Sequence, residues 1–235
     1  MFEPLPVTFA PTRDALHALA EQVLAPARYH AEGRIGLINT PGGFGTPVYG
    51  AGERARVEGI ELVHERPGAT QRVPITNLSH AARFVGAPLG APADLYPPAT
   101  TADPDASLAI DADAARILAA WLEIGATLLD ELRDDYATQE PSAPQLWPEH
   151  FDLACDLGNL DAGTRATYGV SPGDADIAEP YLYVSPWEAS RRTGVLGRKP
   201  FGAACSYREL GAEGDGRNAG RAFFSDCAAL LLGAP

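Results

Sequence analysis

The chain has 235 residues, 46% of them hydrophobic and 21% charged, with a formal net charge of −13. That length supports one sizeable core, and the composition excludes a disordered chain. No apolar run approaches a membrane span, and the acidity repels phosphate backbones, so neither a membrane nor nucleic acid is expected as a partner.

The N-terminal stretch through Asp14 has no basic flank followed by an apolar segment, so no signal peptide is expected. Positive charge is almost all arginine, with Lys199 the only lysine. With abundant Ala, Gly and Pro, this suggests a high-GC bacterial source. The three cysteines, Cys155, Cys205 and Cys227, are odd in number and lack C-x-x-C spacing. A disulfide framework and a thiolate zinc site are therefore disfavoured, and a reducing cytoplasm is the expected compartment.

In chain order, Thr12 is the expected cap of a helix running to about Ala25. Leu16, Leu19, Ala20, Val23 and Leu24 form its buried stripe. His17 falls off that stripe beside Asp14 and Glu21, which reads as an exposed histidine paired with acids. Short β segments follow at Arg34–Asn39 and Thr46–Tyr49, on either side of a glycine turn at 41–45. Arg54–Glu65 and Gln71–Ile75 flank Pro67-Gly68-Ala69-Thr70, the signature of a hairpin loop. Asn77–Val85 reads as a short helix. Residues 86–104 carry Pro88, Pro92, Pro97, Pro98 and Pro104 and read as a surface crossover or lid.

The strongest helical pattern starts at Asp111 or Asp113 and runs to about Tyr136. Its apolar stripe is Ile117, Leu118, Trp121, Leu122, Gly125, Leu128, Leu129 and Leu132. After the central strands, Arg191–Lys199 is a basic loop, Phe201–Tyr207 is expected to be extended, and Ala219–Leu232 to be helical. Runs of strands separated by single helices predict an α+β fold, a largely antiparallel sheet packed against a few helices. One domain over 1–235 is expected, with 86–110 the candidate subdivision.

The stretch from Trp147 to Trp187 concentrates the chemistry. Side chains alternate across a strand. If His150–Leu157 is extended, Phe151, Leu153, Cys155 and Leu157 face a helix, most simply the one at 111–136. His150, Asp152, Ala154 and Asp156 then face the other way. Aspartate is depleted in strands, so two on one face call for a reason. On the next strand Arg165, Thr167 and Gly169 should share the side of Asp156, and on the third Tyr181, Tyr183 and Ser185 alternate with Leu182 and Val184. One face would gather His150, Asp152, Asp156, Arg165, Thr167, Tyr181 and Tyr183, a surface able to bind a polar ligand or hold an acid–base pair. A solvated outer face of an antiparallel sheet has the same alternation. Asp174, Asp176 and Glu179 lie in the connection after Pro172-Gly173 and could meet His150 in a hard-cation or histidine–carboxylate site. No established ligand spacing is present, so no metal or cofactor is assigned.

Two motif matches fail on their context. Gly169-Val170-Ser171-Pro172-Gly173 fits G-x-S-x-G, but the residue after the serine must donate its N–H to an oxyanion and Pro172 has none. Gly50-Ala51-Gly52-Glu53-Arg54-Ala55 fits G-x-G-x-x-A, but no βαβ unit surrounds it.

The segments Trp147-Pro148-Glu149-His150-Phe151-Asp152, Ser171-Pro172-Gly173-Asp174 and Glu179-Pro180-Tyr181-Leu182-Tyr183-Val184-Ser185-Pro186-Trp187 fit the pattern W-P-x-H-F-D, S-P-G-D, E-P-Y-x-Y-x-x-P-W. In these, and in Thr12–His17 and Thr40–Gly45, the chain resembles a family of uncharacterised bacterial proteins common in actinobacteria. The resemblance implies one domain of unknown function and brings no activity with it. The functional expectation is a small-molecule-binding protein, with acid–base or metal-assisted chemistry at His150 and Asp152. Asp156, Arg165, Asp174, Glu179, Tyr181 and Tyr183 are the expected ligand-binding residues. The alternative is a non-catalytic interaction or scaffold protein using its aromatic and proline-rich turns.

Overall fold

The computed structural model describes residues 2–101 and 103–233. The fold is α+β, with two antiparallel five-stranded sheets and helices flanking them. In chain order the helices and strands are α1 (Phe9–Leu19), α2 (Ala25–Glu32), β1 (Ile38–Thr40), β2 (Gly43–Gly45), β3 (Arg54–Glu58), β4 (Glu61–Arg66), β5 (Ala69–Pro74), α3 (Leu78–Val85), α4 (Ala112–Asp135), β6 (Gln145–Trp147), β7 (Asp152–Leu157), β8 (Ala166–Ser171), β9 (Tyr181–Pro186), β10 (Ala203–Ser206), α5 (Tyr207–Ala212) and α6 (Gly216–Leu232).

The described residues fall into two compact units, 4–123 with 146–151 and 2–3 with 124–145 and 152–233. The proline-rich segment at 86–110 lies wholly inside the first.

In the first unit the N-terminal helix is longer than its sequence suggests. It begins at Phe9, so Thr12 is buried within α1 rather than capping it, and Thr12 Oγ1 accepts from the backbone N–H of Asp111 at 3.0 Å. The helix also continues past Pro26. Proline has no N–H to give the carbonyl four residues back and crowds it. The backbone widens into a π turn over Ala20–Leu24, and the carbonyl of Gln22 is taken instead by Gly90 N–H at 3.0 Å. Such a widened turn absorbs a break in the ladder without ending the helix. α2 then stops at Gly33, whose φ of 69° is the left-handed C-terminal conformation.

The sheet of this unit has the order β1-β2-β3-β4-β5. The segment 43–45, expected as part of a glycine turn, is a strand. Gly45 pairs with Arg56, and a Cβ on Gly45 would stand 2.4 Å from Arg56 Cβ, so only glycine permits the approach. Thr46–Tyr49, expected as a strand, contributes only the single bridge of Tyr49 to Glu53. Pro67-Gly68 is the two-residue connection of the β4–β5 hairpin, with Arg66 opposite Ala69. Asn77 caps α3 by accepting from His80 N–H at 2.7 Å.

The second unit holds strands β7 to β10, in the order β10-β9-β8-β7. The predicted alternation holds from Asp152 onward. Asp156 is opposite Thr167, Thr167 opposite Ser185, and Gly169 opposite Tyr183. The apolar side is covered by the C-terminal half of α4 and by α6. Gly125 of α4 lies against Val170, where an added Cβ would sit 2.6 Å from a methyl carbon. Gly220 of α6 lets Leu128 and Leu182 close in, and Phe224 meets Tyr168 edge-on at 6.0 Å. Phe201–Tyr207, expected to be extended throughout, is so only at Ala203–Ser206. Ser206 and Glu209 form a reciprocal capping box that starts α5 at Tyr207.

Candidate functional site

The face of the second sheet opposite its helices carries Asp152, Asp156, Arg165, Thr167, Tyr181 and Tyr183, and hydrogen bonds and ion pairs join most of them to neighbouring groups. Tyr183 Oη donates to Asp152 Oδ2 across β8. The ring reaches that far because it lies flat over Gly169, where a Cβ would stand 2.2 Å from two ring carbons. Burial, then the Asp152 charge, push the Tyr183 phenol well above 10, so it stays a donor. Tyr181 Oη donates to Asp174 Oδ2 at 2.5 Å, and Asp174 Oδ1 folds its own loop by accepting from the N–H groups of Asp176 and Ile177. Phe201 packs against both tyrosines.

Further along the face, Trp187 Nε1 donates to Thr167 Oγ1 at 3.0 Å, and Thr167 donates to Asp156 at 2.8 Å. Arg165 lies over the Trp187 ring at 5.4 Å, bonds the carbonyls of Gly158 and Glu140, and stands 3.8 Å from Asp156. Glu179 is held by the backbone N–H and guanidinium of Arg208. Ser171 is buried and accepts from Gly173 N–H, a local turn bond rather than the poise of a nucleophile.

His150 does not belong to that face. The strand begins at Asp152, and Phe151 takes a positive φ of 53° that breaks the alternation. His150 instead occupies an exposed turn whose backbone returns to the Trp147 carbonyl. The Phe151 side chain is buried, edge-on to Phe44 at 5.0 Å and stacked on His17 at 5.2 Å. The predicted His150–Asp152 strand pair therefore rests on an extension two residues too far back. Among the described residues no group of three or more His, Cys, Asp or Glu side chains could hold a metal ion.

The first unit contains an arrangement not expected from the sequence. Asp14, His17 and Ala18 of α1 and Ala99, Thr100 and Thr101 of the proline-rich segment line an open cavity of about 290 Å³. The half-buried imidazole of His17 bonds the Pro148 carbonyl through Nε2 at 2.9 Å. A carbonyl only accepts, so Nε2 carries the proton and the neutral ring keeps Nδ1 as its base. Burial lowers the His17 pKa below 6.5, outweighing the opposing pull of Glu21, the Pro148 carbonyl and Asp14.

Glu21, in the π turn, is fully buried and positions the cavity's other wall. Its carboxylate accepts from the N–H groups of Ala99 at 2.8 Å and Thr100 at 2.7 Å, from the Thr100 hydroxyl, and from Gln22 Nε2 at 3.3 Å. Gln22 adds a bond to Ala91 N–H and two to Thr100. The segment expected as a surface crossover or lid is thus strapped to the helix by two adjacent residues. Tyr96 of that segment is raised above its usual pKa by burial and then by the charges of Glu21 and Glu149. The one available signal in the sequence is Glu21 itself, an acid inside the otherwise apolar register of Leu19, Ala20, Val23 and Leu24. No family model matches the chain, and neither a curated protein nor a solved structure matches it.

Proposed function

We propose that this chain binds a small polar molecule in the cavity between α1 and the strapped proline-rich segment, with His17 as the group that meets it. The observation that carries this reading is a histidine on a cavity wall, neutral at pH 7, whose tautomer is fixed by the Pro148 carbonyl. A cavity of about 290 Å³ falls just below the usual ligand-pocket range, which begins at ~300 Å³, so it suits only a small ligand. Convergent polar groups and a perturbed ionisable side chain in a concave site are the features that favour ligand binding over a bare surface. The unprotonated Nδ1 gives the site a base able to accept a hydrogen bond or a proton from the ligand.

The face built by Asp152, Asp156, Arg165, Tyr181 and Tyr183 supports a structural role better. Asp152 Oδ2, Asp156 and Tyr181 are each hydrogen-bonded within the protein, and Asp152 and Tyr181 are buried. The three family-like motifs contribute to that network and to the turn whose Pro148 carbonyl fixes His17. Three free thiols fit a reducing compartment such as the cytoplasm, and a net charge of −13 disfavours nucleic acid as a partner. Among the described residues no helix is long and apolar enough to cross a membrane.

Thr101 lines the cavity and is exposed, so Thr101→Trp fills the mouth without disturbing the core. A small-molecule collection screened by thermal shift should give compounds that stabilise the wild type and not Thr101→Trp. Compounds that stabilise both proteins equally, or none that stabilise either, would refute the assignment.

A further inference from the structure

Resting on that cavity reading, we infer that the ligand is a small organic cation, an amine in its ammonium form, selected over neutral and anionic molecules of similar size. The argument begins with which hydrogen-bonding groups of the wall are already used. The His17 Nε2–H is committed to the Pro148 carbonyl. The Thr100 hydroxyl faces a carboxylate that can only accept, so its proton goes to Glu21. The backbone N–H groups of Ala99 and Thr100 go to Glu21 as well. Four donors of the lining residues are thus spent inside the protein.

What these groups leave is mainly acceptors. They are His17 Nδ1, the Asp14 Oδ2 left beside the Oδ1 that Arg13 holds, and the acceptor capacity that Gln22 leaves on Thr100 Oγ1, while Thr101 can act either way. An ammonium group has only donors, so it complements this set. A carboxylate or phosphate has only acceptors and would meet acceptors.

Charge points the same way. Asp14 and Glu21 both act on His17, and Arg13 is the one opposing cation acting on that ring, held to Asp14 at 2.7 Å. Glu149 follows Pro148 in the chain, and its charge adds to that of Glu21 at Tyr96. Glu149 Oε2 and Tyr96 Oη are buried and have no hydrogen-bond partner among the described residues. With His17 neutral, the two carboxylates acting on the ring, Asp14 and Glu21, outnumber its one opposing cation, Arg13, and an anion entering the cavity would add to the repulsion.

The test is an NMR titration at pH 7.5 of the full chain with four matched probes: propylammonium, 1,3-diaminopropane, 1-propanol and propanoate. The two amines are expected to bind at least tenfold more tightly than the alcohol, with propanoate showing no saturable binding. Asp14→Asn should weaken the amines severalfold, and Thr101→Trp should abolish their binding. Alcohol or propanoate binding as tight as the amines, and lost in Thr101→Trp, overturns the cation assignment while leaving the cavity as the site. If no probe shows binding that Thr101→Trp removes, both the cation assignment and the cavity reading are overturned.

Discussion

Nε2 of His17 lies 2.9 Å from the carbonyl oxygen of Pro148, a residue 131 positions along the chain. That single bond fixes which imidazole nitrogen is protonated and holds the ring against Phe151. It also makes the titration of His17 a property of the folded state. The groups acting on the ring are Asp14, Glu21 and Arg13 on its own helix and the Pro148 carbonyl opposite, with burial dominating.

A folded-state pKa below 6.5 means that the unfolded chain binds the proton more readily. Stability from this group is fully present above pH 6.5 and is lost as pH falls through the lowered folded value. Urea melts of the wild type between pH 8 and pH 5 should therefore show stability falling toward acid, and His17→Asn should reduce that slope. An unchanged slope in the variant would show that His17 titrates as it does in the unfolded chain.

Glu21 is the strap's anchor. Glu21→Gln preserves shape but replaces one accepting oxygen with an amide that faces donors. Hydrogen bonds to charged groups contribute about 1.5–3 kcal/mol each, so a loss of that order is expected. Protease cleavage within 92–101 should accelerate together with the fall in melting temperature. A variant as stable and as resistant as the wild type would mean that the strap is held by Gln22 alone.

Tyr183 reaches Asp152 only because Gly169 has no side chain. Gly169→Ala should drive the ring from its seat and cost about 1–3 kcal/mol, the usual range for overpacking. Tyr183→Phe removes the donor from a buried carboxylate and should cost about 1–3 kcal/mol. Because the ring's displacement includes loss of that bond, the double variant should be less destabilised than the sum of the two. Strict additivity would separate the two contacts and contradict the geometry.

His150 is exposed in a turn, and substitutions at such positions usually stay within about 0.5 kcal/mol. His150→Asn should leave the melting temperature and amine binding unchanged. A variant that folds normally but loses binding would return the site to the region read from the sequence.

Much of the architecture was legible in the sequence. The stripe from Ile117 to Leu132 identifies α4, and strict alternation from Asp152 to Val184 identifies three strands and the side each residue takes. Alternation could not locate the start of β7, because the positive φ of Phe151 has no local signature in a non-glycine residue. Nor could it tell a solvated face from one whose polar groups pair with one another. That depends on Gly169 opposing Tyr183, which is a matter of register. The sequence pattern ends this helix near Ala25, whereas it runs on through Pro26 because its π turn is completed by Gly90, 68 positions downstream of Gln22. The expectation of an exposed His17 fails for a similar reason. Its neighbours in sequence are charged, whereas Pro148 and Phe151, which bury it, are remote.

The most direct test of the cavity assignment is residue-resolved. In amide and imidazole NMR spectra of the full chain, saturating propylammonium should shift signals of Asp14, His17, Ala18, Thr100 and Thr101 together, with a single dissociation constant. Asp152, Asp156 and Tyr183 should stay fixed. Shifts centred on Asp152, Asp156 and Tyr183, with His17 unmoved, would contradict the account.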